Sequence, residues 1–136
     1  VLYLKQIILP AKKLIMDTKA LSIRPFIGAK NFEISRQFYR DIGFEESIIT
    51  PGMSLFKTAT LGFYLQQAYV KDWVDNTMVF LEVSDIHKYW NNLNALNLTA
   101  KYEAVRLSAV NHFTWGSECY LHDPAGILWH IGQFNQ

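Results

Sequence analysis

Ile23-Arg24-Pro25-Phe26-Ile27-Gly28-Ala29-Lys30-Asn31-Phe32-Glu33-Ile34-Ser35-Arg36-Gln37-Phe38-Tyr39-Arg40-Asp41-Ile42-Gly43-Phe44 reads as an apolar run followed by an amphipathic helix. The pattern returns at Thr77-Met78-Val79-Phe80-Leu81-Glu82-Val83-Ser84-Asp85-Ile86-His87-Lys88-Tyr89-Trp90-Asn91-Asn92-Leu93-Asn94-Ala95-Leu96. Each half then reaches a turn glycine and a strand, Gly62-Phe63-Tyr64-Leu65-Gln66 and Gly126-Ile127-Leu128-Trp129-His130. The turn glycines are 64 residues apart, as are Gln66 and His130, whereas the helix caps Asn31 and Asp85 are 54 apart. A duplicated unit matters because two copies of a curved sheet can enclose one cavity between them.

Outward from these stretches the local chemistry fills in the remaining elements. Residues 20–28 alternate as a strand. Asn31 offers its side-chain oxygen to the free amides of a helix start. Phe32, Ile34, Ser35, Phe38, Tyr39 and Ile42 follow at helical spacing, and Gly43 suits the left-handed position after a helix. Two strands, 44–50 and 53–59, flank Thr50-Pro51-Gly52, and a third runs over 63–68. The polar linker 69–76 holds a conspicuous Trp73. A strand over 77–84, a helix capped by Ser84 or Asp85, and strands over 100–108, 115–122 and 126–134 complete the second half, with Asp123-Pro124-Ala125-Gly126 as a hairpin turn. Both halves are therefore β-α-β-β-β. The predicted class is α+β: two tandem modules, about 20–68 and 77–134, in a domain over 20–136 behind an N-terminal extension, 1–19.

Composition narrows the function. Of the 136 residues 50% are hydrophobic and 15% aromatic, which predicts an ordered core. A net charge of +1 without a basic run argues against a nucleic-acid partner. Cys119 is the single cysteine, which precludes an internal disulfide and fits a reducing cytoplasm. Lys5, Pro10, Lys12 and Lys13 interrupt the apolar start, so neither a secretory signal nor a membrane span is expected. Met16 is an alternative start. Residues 1–15 read as a peripheral arm, or as one reaching a partner subunit.

The run Lys30–Phe44, joined to His122-Asp123-Pro124-Ala125-Gly126-Ile127-Leu128-Trp129-His130, resembles the helix signature and final hairpin of the vicinal oxygen chelate superfamily. That superfamily includes glyoxalases, extradiol dioxygenases and bleomycin-resistance proteins. The resemblance implies an open, curved, mostly antiparallel eight-stranded sheet around a cleft, commonly completed by a homodimer. It further implies four metal seats in catalytic members, which map onto Arg24, Gln66, Met78 and His130; Arg24 and Met78 each lie seven residues before a helix cap. Arginine is a permanent cation and methionine a soft thioether, so these seats suit a divalent ion poorly. No metal, cofactor or catalytic residue is expected.

Strand alternation then adds Ser22, Phe26, Tyr64, Phe80, Glu82 and Leu128 to the cleft face and turns Phe63, Ile127 and Trp129 to the core. The candidate ligand-binding set is Arg24, Phe26, Tyr64, Gln66, Trp73, Met78, Phe80, Glu82, Trp115 and His130. Five of its members have a second reading. Arg24 and Glu82 either contact a ligand or pair with each other, and His130 is either a ligand contact or a buried imidazole bonded to Gln66 or Tyr64. Trp73 and Trp115 sit in a polar linker and near a loop, where large aromatics anchor ligands or a dimer interface. Trp90, spaced with Ile86, Tyr89 and Leu93, reads as core. Cys119 has no evident activating base, and Tyr102, Glu103 and Arg106 read as a solvated strand face.

The expected function is metal-free sequestration of an aromatic or cationic amphipathic compound, such as an antibiotic, at the junction of the modules. Two alternatives remain: a metal-dependent lyase or dioxygenase of glyoxalase type, using His130 and Gln66 with Glu82 or Glu118, and a non-catalytic dimeric interaction module.

Overall fold

The computed structural model describes residues 18–136, and the readings of residues 1–15 and of Met16 lie outside them. Two sheets carry the duplication. In the first, β1 (Phe26–Gly28) runs parallel to β4 (Leu61–Gln66), which pairs antiparallel with β3 (Met53–Thr58), and β3 with β2 (Glu45–Thr50). In the second, β5 (Met78–Glu82) runs parallel to β9 (Leu128–Phe134), which pairs with β8 (Gly116–His122). Two-residue strands β6 (Arg106–Leu107) and β7 (Asn111–His112) both pair with β8. Each half thus places its first strand parallel to its last, and the fold is α+β with two tandem modules, as expected.

The helices begin where their caps dictate. In α1 (Phe32–Asp41) the Asn31 side chain accepts from the Ile34 amide at 3.2 Å, and Gly43 follows at φ +106°. In α3 (Ile86–Ala95) it is Asp85, not Ser84, that caps, accepting from the Lys88 amide at 3.0 Å.

Three stretches depart from expectation. β1 starts at Phe26 rather than near residue 20, and Leu21 and Ile23 before it are exposed. Pro25 has no N–H to give, and its carbonyl takes the Tyr64 amide as the ladder begins. The linker carries a short helix, α2 (Lys71–Asp75), which buries Val74. Over 98–107 a turn of helix, α4 (Leu98–Lys101), and the short β6 replace the long strand. Asn97, at φ +55°, ends α3 and redirects the chain. Leu98, Tyr102 and Val105 are buried at helical spacing, and the Tyr102 hydroxyl donates to Asp41 at 2.5 Å. Tyr102 is therefore core, not part of a solvated face.

One core serves both modules. Tyr39, fully buried on α1, packs against Phe44, Phe56 and Phe63 of its own module and Trp129 of the other. Its hydroxyl donates to Asp123 at 2.6 Å and accepts from Trp129 Nε1 at 3.0 Å. Asp123, also fully buried, accepts from the amides of Ala125, Gly126 and Ile127 at 2.8–2.9 Å. A buried carboxylate is tolerated only when its lone pairs are taken up in this way. Burial pushes the Asp123 carboxyl up from its ordinary value, against the pull of Tyr39 and the three amides. The hairpin turn that ends module two is thus bolted to the helix of module one.

Candidate functional site

Strand alternation sorts each sheet into a core face and an open face. Ile27, Phe63, Leu65, Ile127, Trp129 and Ile131 are buried, as the sequence pattern requires. The alternate residues, Phe26, Tyr64, Gln66, Met78, Phe80, Leu128 and His130, stand on the open faces. Because both core faces meet in one core, the open faces point away from it on separate sheets. Arg24, Phe26, Tyr64 and Gln66 belong to module one, and Met78, Phe80, Glu82, Trp115 and His130 to module two. Among the described residues no hydrogen bond, ion pair or ring contact joins the two sets. Within a single chain the predicted residues of the two modules thus make no direct contact with each other.

The ladders also refine the seats. Phe26 pairs with Tyr64 and Met78 with Leu128, two residues before Gln66 and His130 respectively. Phe26, not Arg24, is thus the counterpart of Met78: the equivalent ladder position lies five residues before the cap Asn31 in module one and seven before the cap Asp85 in module two. Counting back from the caps could not reveal that difference. Arg24 lies ahead of the strand. Its Nη1 donates to the Tyr64 hydroxyl at 3.3 Å, and Tyr64 stacks on Phe26 at 4.7 Å with 18° between planes. Arg24 and Glu82 form no ion pair, which removes the reading in which they seal the floor together.

The open face of module two is richer. Phe80, Phe113, Trp115 and Phe134 form a contiguous aromatic wall with ring centres 5.4–6.4 Å apart, each ring 37–49% exposed. Gly132 makes this wall possible. A Cβ there would lie 2.7 Å from the Phe80 ring, so only glycine lets that ring settle onto β9. Beside the wall stands a polar group. His130 Nδ1 lies 3.5 Å from the buried carboxylate of Glu118, and His130 Nε2 lies 3.5 Å from Met78 Sδ. Tyr120 meets the His130 ring edge-on at 5.1 Å. Its hydroxyl is pushed above its usual range by its hydrogen-bonding contact with Glu118. His130 is therefore not bonded to Gln66 or Tyr64.

The predicted binding set omitted Phe113 and Phe134, and Glu118 entered the sequence reading only as a candidate metal ligand beside His130. Their register signal was present, since Gly116 pairs with Phe134 and Glu118 with Gly132, but it depends on knowing that β8 and β9 are neighbours. Trp73 stands on α2, 74% exposed, and makes no ring contact among the described residues. Trp90 donates from Nε1 to the Ser108 carbonyl at 2.7 Å and packs against the core, as expected. Cys119 is buried, and burial pushes its thiol up to about 11, the opposite of nucleophilic activation.

A groove of about 490 Å³ does lie at the module junction, lined by Leu21, Ile23, Pro25, Leu61 and Leu81 among others. Of the predicted set only Phe80 and Glu82 reach it. The four seats do not fit a divalent ion: with Phe26 in place of Arg24, a phenyl ring, an amide and a thioether accompany one imidazole. Among the described residues no three His, Cys, Asp or Glu side chains converge as metal ligands, and no helix is long and apolar enough to cross a membrane.

This architecture, two βαβββ modules sharing a core with open sheet faces, is the fold of bleomycin-binding proteins and a lactoylglutathione lyase. Solved structures agree. A bleomycin-binding protein from bleomycin-producing Streptomyces verticillus, complexed with copper(II)-bleomycin, superposes with a TM-score of 0.72 at 18% identity, covering 87% of this chain and 99% of that one. A lactoylglutathione lyase from Agrobacterium tumefaciens gives 0.64 at 17% identity, over 85% and 96% of the two chains. An antibiotic-binding protein from a Streptomyces species gives 0.65 at 14% identity, over 89% and 100%. No protein-family model and no curated protein matches the sequence.

Proposed function

We propose that the chain is a metal-free small-molecule binding protein that sequesters an aromatic cationic compound on the open face of module two. The observation that carries this reading is the exposed wall of Phe80, Phe113, Trp115 and Phe134 beside Glu118 and His130. Four large aromatics at one end of a sheet face have no partner in the core. They offer flat surface for stacking and cation–π attraction, and the carboxylates of Glu118 and Glu82 supply the opposite charge. Similarity in fold to bleomycin-binding and antibiotic-binding proteins supports a binder. The same fold occurs in a lactoylglutathione lyase, so fold alone does not decide.

A second copy completes the pocket in this proposal. The open faces of one chain point apart, and each leaves large apolar side chains exposed, including Phe26 and Met78. A homodimer that sets the Arg24–Phe26–Tyr64 face of one copy over the aromatic wall of the other would cover both and gather the predicted residues into one cleft. Trp73 takes no part in the wall.

Titration of intrinsic tryptophan fluorescence with bleomycin and rhodamine 6G, cationic aromatic probes, tests the reading. Saturable quenching that Trp115→Ala removes supports it. The absence of saturable quenching by either probe would count against it, and sedimentation over a concentration series tests the dimer separately.

A further inference from the structure

Away from the aromatic wall, two histidines that the sequence left isolated come together. His87 lies in the first turn of α3 and His112 on β7, with ring centres 5.5 Å apart and 36° between their planes. The side chain of His112 is oriented: its Nδ1 sits 2.6 Å from Ser117 Oγ, which leaves Nε2 as the ring's free nitrogen. Both residues are exposed, so solvent and ions reach them.

We propose that His87 and His112 form a two-imidazole site for a borderline divalent transition ion such as Zn²⁺, Ni²⁺ or Cu²⁺. Two imidazoles bound to one tetrahedral ion, with metal–nitrogen distances of about 2.0–2.1 Å, have ring centres roughly 5 Å apart. The observed separation of 5.5 Å matches that spacing. Imidazole suits these ions better than it suits Mg²⁺ or Ca²⁺. Ser117 plays the part that outer-shell groups play in metal sites, holding one ring nitrogen so that the other faces the ion. Water completes the coordination, since the described residues provide no third His, Cys, Asp or Glu ligand.

The consequence lies in the chain that the ion would tie down. β7 is a two-residue strand, and the loop Phe113–Trp115 that follows supplies two members of the aromatic wall. An ion bridging α3 to β7 clips the base of that loop to the domain. The site is thus distinct from the open face yet mechanically joined to it, and it stands whether or not that face binds a ligand.

The test is calorimetric titration of metal-free full-length chain with ZnCl₂ and NiCl₂, repeated on His87→Ala, His112→Ala, Ser117→Ala and His130→Ala. Saturable binding of a single ion per chain is expected. His87→Ala and His112→Ala weaken it by about tenfold or more each, Ser117→Ala weakens it by a smaller factor, and His130→Ala leaves it unchanged. Long-range nitrogen–proton spectra should shift the imidazole signals of His87 and His112 and no others. Absence of saturable binding would overturn the proposal, as would His87→Ala and His112→Ala proteins that bind as tightly as the unsubstituted chain, which would mean an adventitious ion elsewhere.

Discussion

The two modules share a strand order and differ in what they show to solvent. On the core side they are interchangeable in kind: Ile27, Phe63 and Leu65 in one, Ile127, Trp129 and Ile131 in the other, all buried against the same aromatic centre. On the open side, module one presents a single stacked pair, Phe26 on Tyr64, with Arg24 attached. Module two presents four clustered aromatics, a buried carboxylate and an imidazole. The small residues differ in kind as well. At Gly28, opposite Gln66, a Cβ would meet the Ala68 carbonyl oxygen at 2.4 Å, a constraint of backbone packing. At Gly132, opposite Glu82, it would meet the Phe80 ring, a constraint of the open face. Duplication has thus kept the side of each sheet that folds and diversified the side that meets other molecules.

The largest effect should come from attacking what the modules share. Asp123→Ala strands the Tyr39 hydroxyl and three backbone amides in the core. It should cost about 3 kcal/mol or more, lowering the melting temperature by roughly 10 °C in calorimetry. Tyr39→Phe, which leaves Trp129 Nε1 without its acceptor, should cost about 1–3 kcal/mol. Both variants should unfold the modules together, in one transition. Separate transitions would break the picture of one core.

The open faces should respond in the reverse sense. Trp115→Ala is expected to weaken binding of bleomycin or rhodamine 6G by roughly tenfold or more, with little change in melting temperature. Phe26→Ala, on the other face, should weaken it less, and equal losses would erase the functional difference between the modules. Gly132→Ala sharpens the contrast, since it adds no charge and removes no aromatic. It should nevertheless weaken binding severalfold by lifting Phe80 off β9, seen as a change in near-ultraviolet circular dichroism.

The smallest effect is confined to module one. Burial alone would raise the Glu46 carboxyl, but hydrogen bonds from Arg36 and Arg40 prevail and hold it down at about 2. A carboxyl lowered by folding contributes stability that is present above its unfolded value, near 4.5, and lost as pH falls toward 2. Glu46→Gln should therefore lower stability at pH 7 and flatten the acid limb of a stability–pH curve between those values. An unchanged limb would contradict the linkage.

Much of this division was legible in the sequence. The caps at Asn31 and Asp85, the turn at Asp123–Gly126 and the alternation that buries Phe63 and Trp129 follow from local chemistry, and the structure keeps them. What local chemistry could not supply was the pairing between strands. Arg24 looked equivalent to Met78 because residues were counted from the caps, whereas the ladders make Phe26 the equivalent. Phe113, Phe134 and Glu118 join the site only through the β7–β8–β9 neighbourhood. Tyr102 looked like a strand surface because its bond to Asp41 reaches across 61 residues. The cleft expected between the modules also depended on which sheet faces meet. Here the core faces meet in one core, and the groove of about 490 Å³ at the module junction takes in only Phe80 and Glu82 of the predicted set.

The central claim is that module two's open face binds aromatic cations through its wall and its carboxylates. The most direct measurement is a fluorescence titration of the chain and its Trp115→Ala and Glu118→Gln variants against rhodamine 6G, with the aromatic anion 8-anilinonaphthalene-1-sulfonate as counterpart. Saturable quenching by the cation is expected, lost in Trp115→Ala and weakened in Glu118→Gln, with much weaker binding of the anion. Equal binding of cation and anion, or cation binding indifferent to both substitutions, would contradict it.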